Sequence, residues 1–266
     1  MMLARAFLLR DFVQDTSYRL YFIWLLGSLL FSILILLFLS RMIASSPPPE
    51  IVRYGGDYFS FAIVGFALAE AMWACLASFA GRIRYDQVVG TIEAMMATPV
   101  PMPRLLLCSG IYPLLFCALR ITLLLLAATL LGAHFQLAAV LRTLPVLLLA
   151  LAIFGTLGLA SASLTLVLKR GDPIAALLAA LSFIFGGTLY PVSSLPEPVQ
   201  WLSFALPITW AIEACRKLLL TGAALADVKT ELVVLAAFAV GCALAAWLIT
   251  RWCVALLLKN GGIRSY

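Results

Sequence analysis

Residues 187–222 read GTLYPVSSLPEPVQWLSFALPITWAIEACRKLLLTG, with prolines at 191, 196, 198 and 207 set into otherwise apolar sequence. Proline lacks an amide hydrogen and restricts the residue before it, so the segment cannot run as a single membrane helix. It is also too apolar for an ordinary surface loop. What surrounds it must explain how such a chain is tolerated.

Composition narrows the answer. With 64% hydrophobic and 11% charged residues among 266, there is too little charge to cover a soluble domain of this size. The chain reads as an all-α integral membrane protein. Its net charge of +6 does not point to nucleic acid, because the basic residues fall largely between apolar runs, where they set orientation and meet anionic headgroups. Six cysteines without C-x-x-C or metal-ligand spacing, and one histidine, give no basis for a metal centre or a catalytic set.

A crossing helix needs about 20 mostly apolar residues. Six stretches qualify: residues 20–40, 58–80, 105–132, 142–168, 173–190 and 230–257. The first is too long for a cleaved secretory signal and is expected to be retained. Ahead of it, residues 1–19 set Leu3, Phe7, Leu8 and Phe12 against Arg10, Asp11, Gln14 and Asp15, a pattern suited to a helix in the headgroup layer. Placing the N-terminus inside puts eleven Lys and Arg on inner segments and six on outer ones, which favours cytoplasmic termini at both ends. Residues 1–266 then form one transmembrane domain.

With this topology the fifth span leaves the membrane outside near Tyr190, and the sixth starts on the same side near Lys229. Residues 191–222 therefore begin and end outside. Irregular backbone survives in hydrocarbon only when buried in protein or lining a wet cavity. Two short re-entrant helices are expected, about 197–206 and 208–220, hinged at Pro207; two helices lying flat on the outer surface would use the same breakpoints. Pro191, Pro196, Pro207, Glu213 and Arg216 are the candidate residues of an outer gate. Glu213 and Arg216 stand three apart, where they can pair.

The longest polar connection, residues 81–104, lies on the inner side and reads GRIRYDQVVGTIEAMMATPVPMPR. Thr91 suits an N-cap, Glu93 sits in the first turn where the helix dipole favours an acid, and Pro99 ends the helix. Met95 and Met96 give this short helix a soft apolar face, fit for a groove on another protein or for packing on the chain's own spans. Within the spans, Glu70 and Arg120 come to nearly the same depth from the outer side at 1.5 Å per residue. A mid-bilayer charge needs a partner or a wet cavity, so the two are expected either as an ion pair or as lining of a substrate path.

Two landmarks resemble those of ABC-2-type permeases, the membrane subunits of ATP-driven exporters. Gly90, Thr91, Ile92, Glu93, Thr98 and Pro99 resemble the family's Gly-Thr-Leu-Glu pattern ending in Thr-Pro, with Ile92 where leucine is commoner. Pro191, Leu195, Pro196, Pro207, Arg216 and Gly222 resemble its second landmark, and the order of the two agrees. The resemblance implies that residues 81–104 form a coupling loop, with Gly90 to Glu93, Met95, Met96, Thr98 and Pro99 receiving the motion of a separate ATPase dimer. It further implies a second permease chain, most simply an identical one, a bacterial inner membrane, and an amphipathic or lipid-linked substrate. No G-x-x-x-x-G-K-[ST] phosphate loop occurs, so ATP and Mg are expected on the partner and no cofactor on this chain. The rivals are an ion-coupled transporter or a membrane-embedded enzyme using Glu70.

Overall fold

The computed structural model describes residues 2–17, 19–43, 49–168 and 173–259. Lys169, Arg170 and Arg264 of the charge count lie outside the described residues, as do the side chains of Arg19, Glu93 and Met96. Among the described residues every regular element is a helix. In order they are α1 (Met2–Ser17), α2 (Arg19–Ile43), α3 (Pro49–Val52), α4 (Tyr58–Val89), α5 (Thr91–Met96), α6 (Met102–Ser109), α7 (Ile111–Leu130), α8 (Leu137–Leu168), α9 (Pro173–Phe185), α10 (Glu197–Phe204), α11 (Pro207–Thr221) and α12 (Lys229–Lys259).

Among the described residues five stretches are long and apolar enough to cross a membrane: Leu26–Ile43, Tyr58–Val89, Met102–Leu130, Ala138–Leu168 and Leu225–Leu257. Where the fifth span is expected, the described residues give α9, an apolar helix of 13 residues followed by a turn. Two other segments differ from the reading of the sequence. The helix begun at Tyr58 does not stop near residue 80 but runs on to Val89, because its polar residues there find partners on α1. The run 105–132 is two helices meeting at Gly110, where a Cβ would come within 2.3 Å of the Phe79 ring.

The axis of the fold is α4. Asp57 caps it by accepting from the amides of Phe59 and Ser60, both at 3.1 Å. Its sequence is rich in Ala and Gly, which makes it thin enough for α2, α7, α8, α9 and α11 to pack around it. On α8, Gly155 and Gly158 meet Leu114 and Phe79 so closely that a Cβ would sit 2.9 and 2.8 Å from those side chains. That small-residue face is therefore used within the chain. The flanks are reversed relative to a soluble protein: α2 exposes Trp24 and Phe31, and α12 exposes Leu244, Trp247 and Trp252, as hydrocarbon solvent requires.

Candidate functional site

Both sequence landmarks sit on α4, one at each end. At the α5 end, Gly90 takes a left-handed conformation (φ 78°), open to glycine at little cost, and turns the chain back beneath α4. Thr91 is the first residue of α5 and not its cap: its hydroxyl donates to Asp86 Oδ1 (2.9 Å) and lies 3.2 Å from the Asp86 carbonyl, fastening α5 to the helix before it. Ile92 is fully buried and Met95 packs against the core. Ala94, Ala97, Thr98 and Pro99 are exposed, and beside them Val88 and Val89 are uncovered. The short helix thus packs on its own chain through Ile92 and Met95, while Ala94 and the turn that follows it are open.

Asp86 belongs to a larger cluster. Arg10 Nη1 lies 3.3 Å from Asp86 Oδ1 and its Nε donates to Asp11 at 2.8 Å. Arg82 reaches Asp11 (3.5 Å), Asp15 (3.6 Å) and the side-chain oxygen of Gln14 (2.7 Å). Asp11 is wholly enclosed, and burial lifts its pKa above the ordinary value against the opposing pull of Arg82 and Arg10. The polar side of α1 is therefore turned onto α4, while Leu9, Phe12 and Val13 face outward. Sequence reasoning found the polar side of α1 but not its partners; Arg82 and Asp86, four apart on what proved to be helix, were the available signal.

Between the two ends, Arg120 Nη2 on α7 donates to Glu70 Oε1 on α4. The acid is the more open partner, its side chain 24% exposed against 11% for the arginine. Glu70 borders a cavity of about 420 Å³ between α4 and α9, walled by Phe66, Trp73 and Phe183 and floored by small residues such as Ala176 and Ala179.

At the hairpin end, α10 begins after Pro196 and α11 begins with Pro207 itself, where the missing amide costs nothing. Pro191 is buried at the head of a short turn, Val192–Ser194. The pairing of Glu213 with Arg216 is not made, because the two residues take different sides of α11. Arg216 is 2% exposed: Nε donates to the Phe61 carbonyl (3.1 Å), Nη1 to Gly187 (2.7 Å) and Nη2 to Thr188 (2.7 Å), and its guanidinium lies over the Phe61 ring. Glu213 instead accepts from the Tyr54 hydroxyl at 2.8 Å and lies 3.7 Å from Lys217 Nζ. Burial, then the charge of Glu213, raises the Tyr54 pKa, so that phenol stays a donor. Lys217 continues to Glu231 on α12 (2.6 Å).

Compared with known protein families, residues 6–220 match the family described as ABC-2 type transporter, a stretch that takes in both the α5 loop and the hairpin. No curated protein matches the chain.

Proposed function

The chain belongs to the ABC-2 type transporter family, and from that premise we propose that it is the membrane subunit of an ATP-driven exporter. As an ABC-type permease it is an integral, multi-pass membrane protein. In the proposed arrangement α9 counts as a sixth span, both termini face the cytoplasm of a bacterial inner membrane, α1 lies in the inner headgroup layer, and α10 and α11 re-enter from outside. Two identical permease chains enclose the path of an amphipathic or lipid-linked substrate. A separate ATPase dimer, carrying ATP and Mg, supplies the energy.

One observation carries this reading: α5 is fastened to α4 by Gly90, Thr91 and Ile92, yet its Ala94 and the turn after it, Ala97, Thr98 and Pro99, stay open. An ATPase groove that takes these open residues would push on a helix that cannot swing free, and the push would pass into α4. That helix is a continuous rod of 32 residues, about 48 Å at 1.5 Å per residue. Glu70 and the neighbouring cavity lie along it, where a polar headgroup with an apolar tail would find an acid beside aromatic and small apolar walls. The contact of Glu70 with Arg120 supports reading the two as an ion pair beside that cavity.

The test is co-purification of the tagged chain with its ATPase, comparing wild type with Ala94→Arg. The substitution adds bulk and charge to an open position and leaves the buried face alone. ATPase lost while the chain still inserts is the expected result. An ATPase that stays bound and active in transport would remove α5 as the coupling helix.

A further inference from the structure

Three consecutive carbonyls of the turn after α9 are answered by side chains where it crosses α4. Gly187 and Thr188 accept from Arg216 of α11, and Leu189 accepts from the Tyr58 hydroxyl of α4 at 3.1 Å. The turn also lies against α4 without a gap: a Cβ at Gly65 would come 2.1 Å from the Thr188 carbonyl oxygen and 2.6 Å from Arg216 Nη2. One guanidinium therefore binds three elements at one point, α11 that carries it, α4 through Phe61, and the outer end of α9. Among the described residues no carboxylate lies within ion-pair distance of it. A buried cation neutralised by an acid would read as a structural ion pair; one spent on the carbonyls of a turn acts as a clasp on that turn.

We propose that Arg216 is the positioning residue of the outer gate, clasping α11 to α4 and to the end of α9 so that the mouth is shut at rest. This rests on the reading of residues 191–222 as the outer re-entrant gate. The planar fork is essential, because three acceptors at different bearings suit a guanidinium and not the single ammonium of lysine. Arg216→Lys keeps the charge and much of the bulk but loses the fork. Loss of a single charge-assisted hydrogen bond shifts a closed–open equilibrium by about ten- to a hundredfold. Gly65→Ala attacks the same contact from the α4 side without touching any charge.

The experiment uses the permease reconstituted with its ATPase in vesicles, without nucleotide, and reads efflux of potassium. Wild type is expected to hold the ion, while Arg216→Lys and Gly65→Ala each leak about tenfold faster or more. The double variant should leak no faster than the worse single one, since both open one contact. Equal ATPase retention in all four proteins shows that the assembly survives. Should Arg216→Lys fail to insert, Tyr58→Phe, which removes only the bond to Leu189, takes its place with leak again expected. Vesicles that stay tight with Arg216→Lys or its replacement and with Gly65→Ala overturn the clasp. The leak is read without ATP or cargo, so it stands or falls separately from the coupling role of α5.

Discussion

The two ends of α4 are held by different means. At the α5 end, α1, α4 and α5 have closed their backbones in helical hydrogen bonds, so what joins them is side chain to side chain: Arg10, Asp11, Arg82, Asp86 and Thr91 share the load. At the hairpin end the chain between α9 and α10 is largely irregular, and one residue takes two of its carbonyls together with a third from α4, with Tyr58 holding Leu189 beside it. A shared network loses a member by degrees. A single fork on backbone acceptors fails at once.

If that contrast holds, the largest effect belongs to Arg216→Ala. It strands the buried carbonyls of Gly187 and Thr188, and a loss of about 1–3 kcal/mol for each is expected, the cost of leaving a buried acceptor without a partner; thermal unfolding in detergent would measure it. Glu70→Ala comes next. It leaves Arg120 alone within the spans at about 2.5–3.5 kcal/mol on insertion scales, read as the fraction of chain that inserts, and exchanging the two charges should recover more than either single change. A smaller effect is expected for Thr91→Val, about 0.5–1.5 kcal/mol for one hydrogen bond, read as loosening of α5 by hydrogen exchange. The smallest is Asp15→Asn, whose contact with Arg82 spans 3.6 Å beside solvent and should change stability by about 0–1 kcal/mol. Asp15→Asn costing as much as Arg216→Ala would break the distinction between shared and single holds.

Much of this was legible before the structure. The prolines at 196 and 207 placed the breaks that open α10 and α11, because proline's effects are local and do not depend on neighbours. Apolar length marked the long helices for the same reason. What could not be read was direction. The three-residue spacing of Glu213 and Arg216 says that they can meet, but not that the packed side of α11 runs through Arg216, Ile212 and Leu219 while Glu213 looks to Tyr54. The loop at residues 81–104 misled in a related way. Arg82, Asp86 and Gln87 look like solvent-facing residues in a one-dimensional reading, and only α1 lying across the first two, with Arg10 and Asp11 inward, and the Leu166 carbonyl of α8 accepting from Gln87 explain why α4 carries on through them. Gly90 was readable as a landmark, yet its left-handed turn and the grip of Thr91 on Asp86 needed coordinates.

The brevity of α9 bears on the lipid as well as the protein. Thirteen residues rise about 20 Å, whereas the hydrocarbon layer is about 30 Å thick. Leu177, Phe183 and Ile184 lie on its uncovered side, so if α9 is the proposed sixth span, neighbouring acyl chains would have to shorten their reach along that flank. Such a mismatch costs a fraction of a kcal/mol per Å, and thinner membranes would relieve it. Transport measured across vesicles of graded acyl-chain length should then peak on the short side, which would make bilayer thickness a control on this permease separate from its energy source.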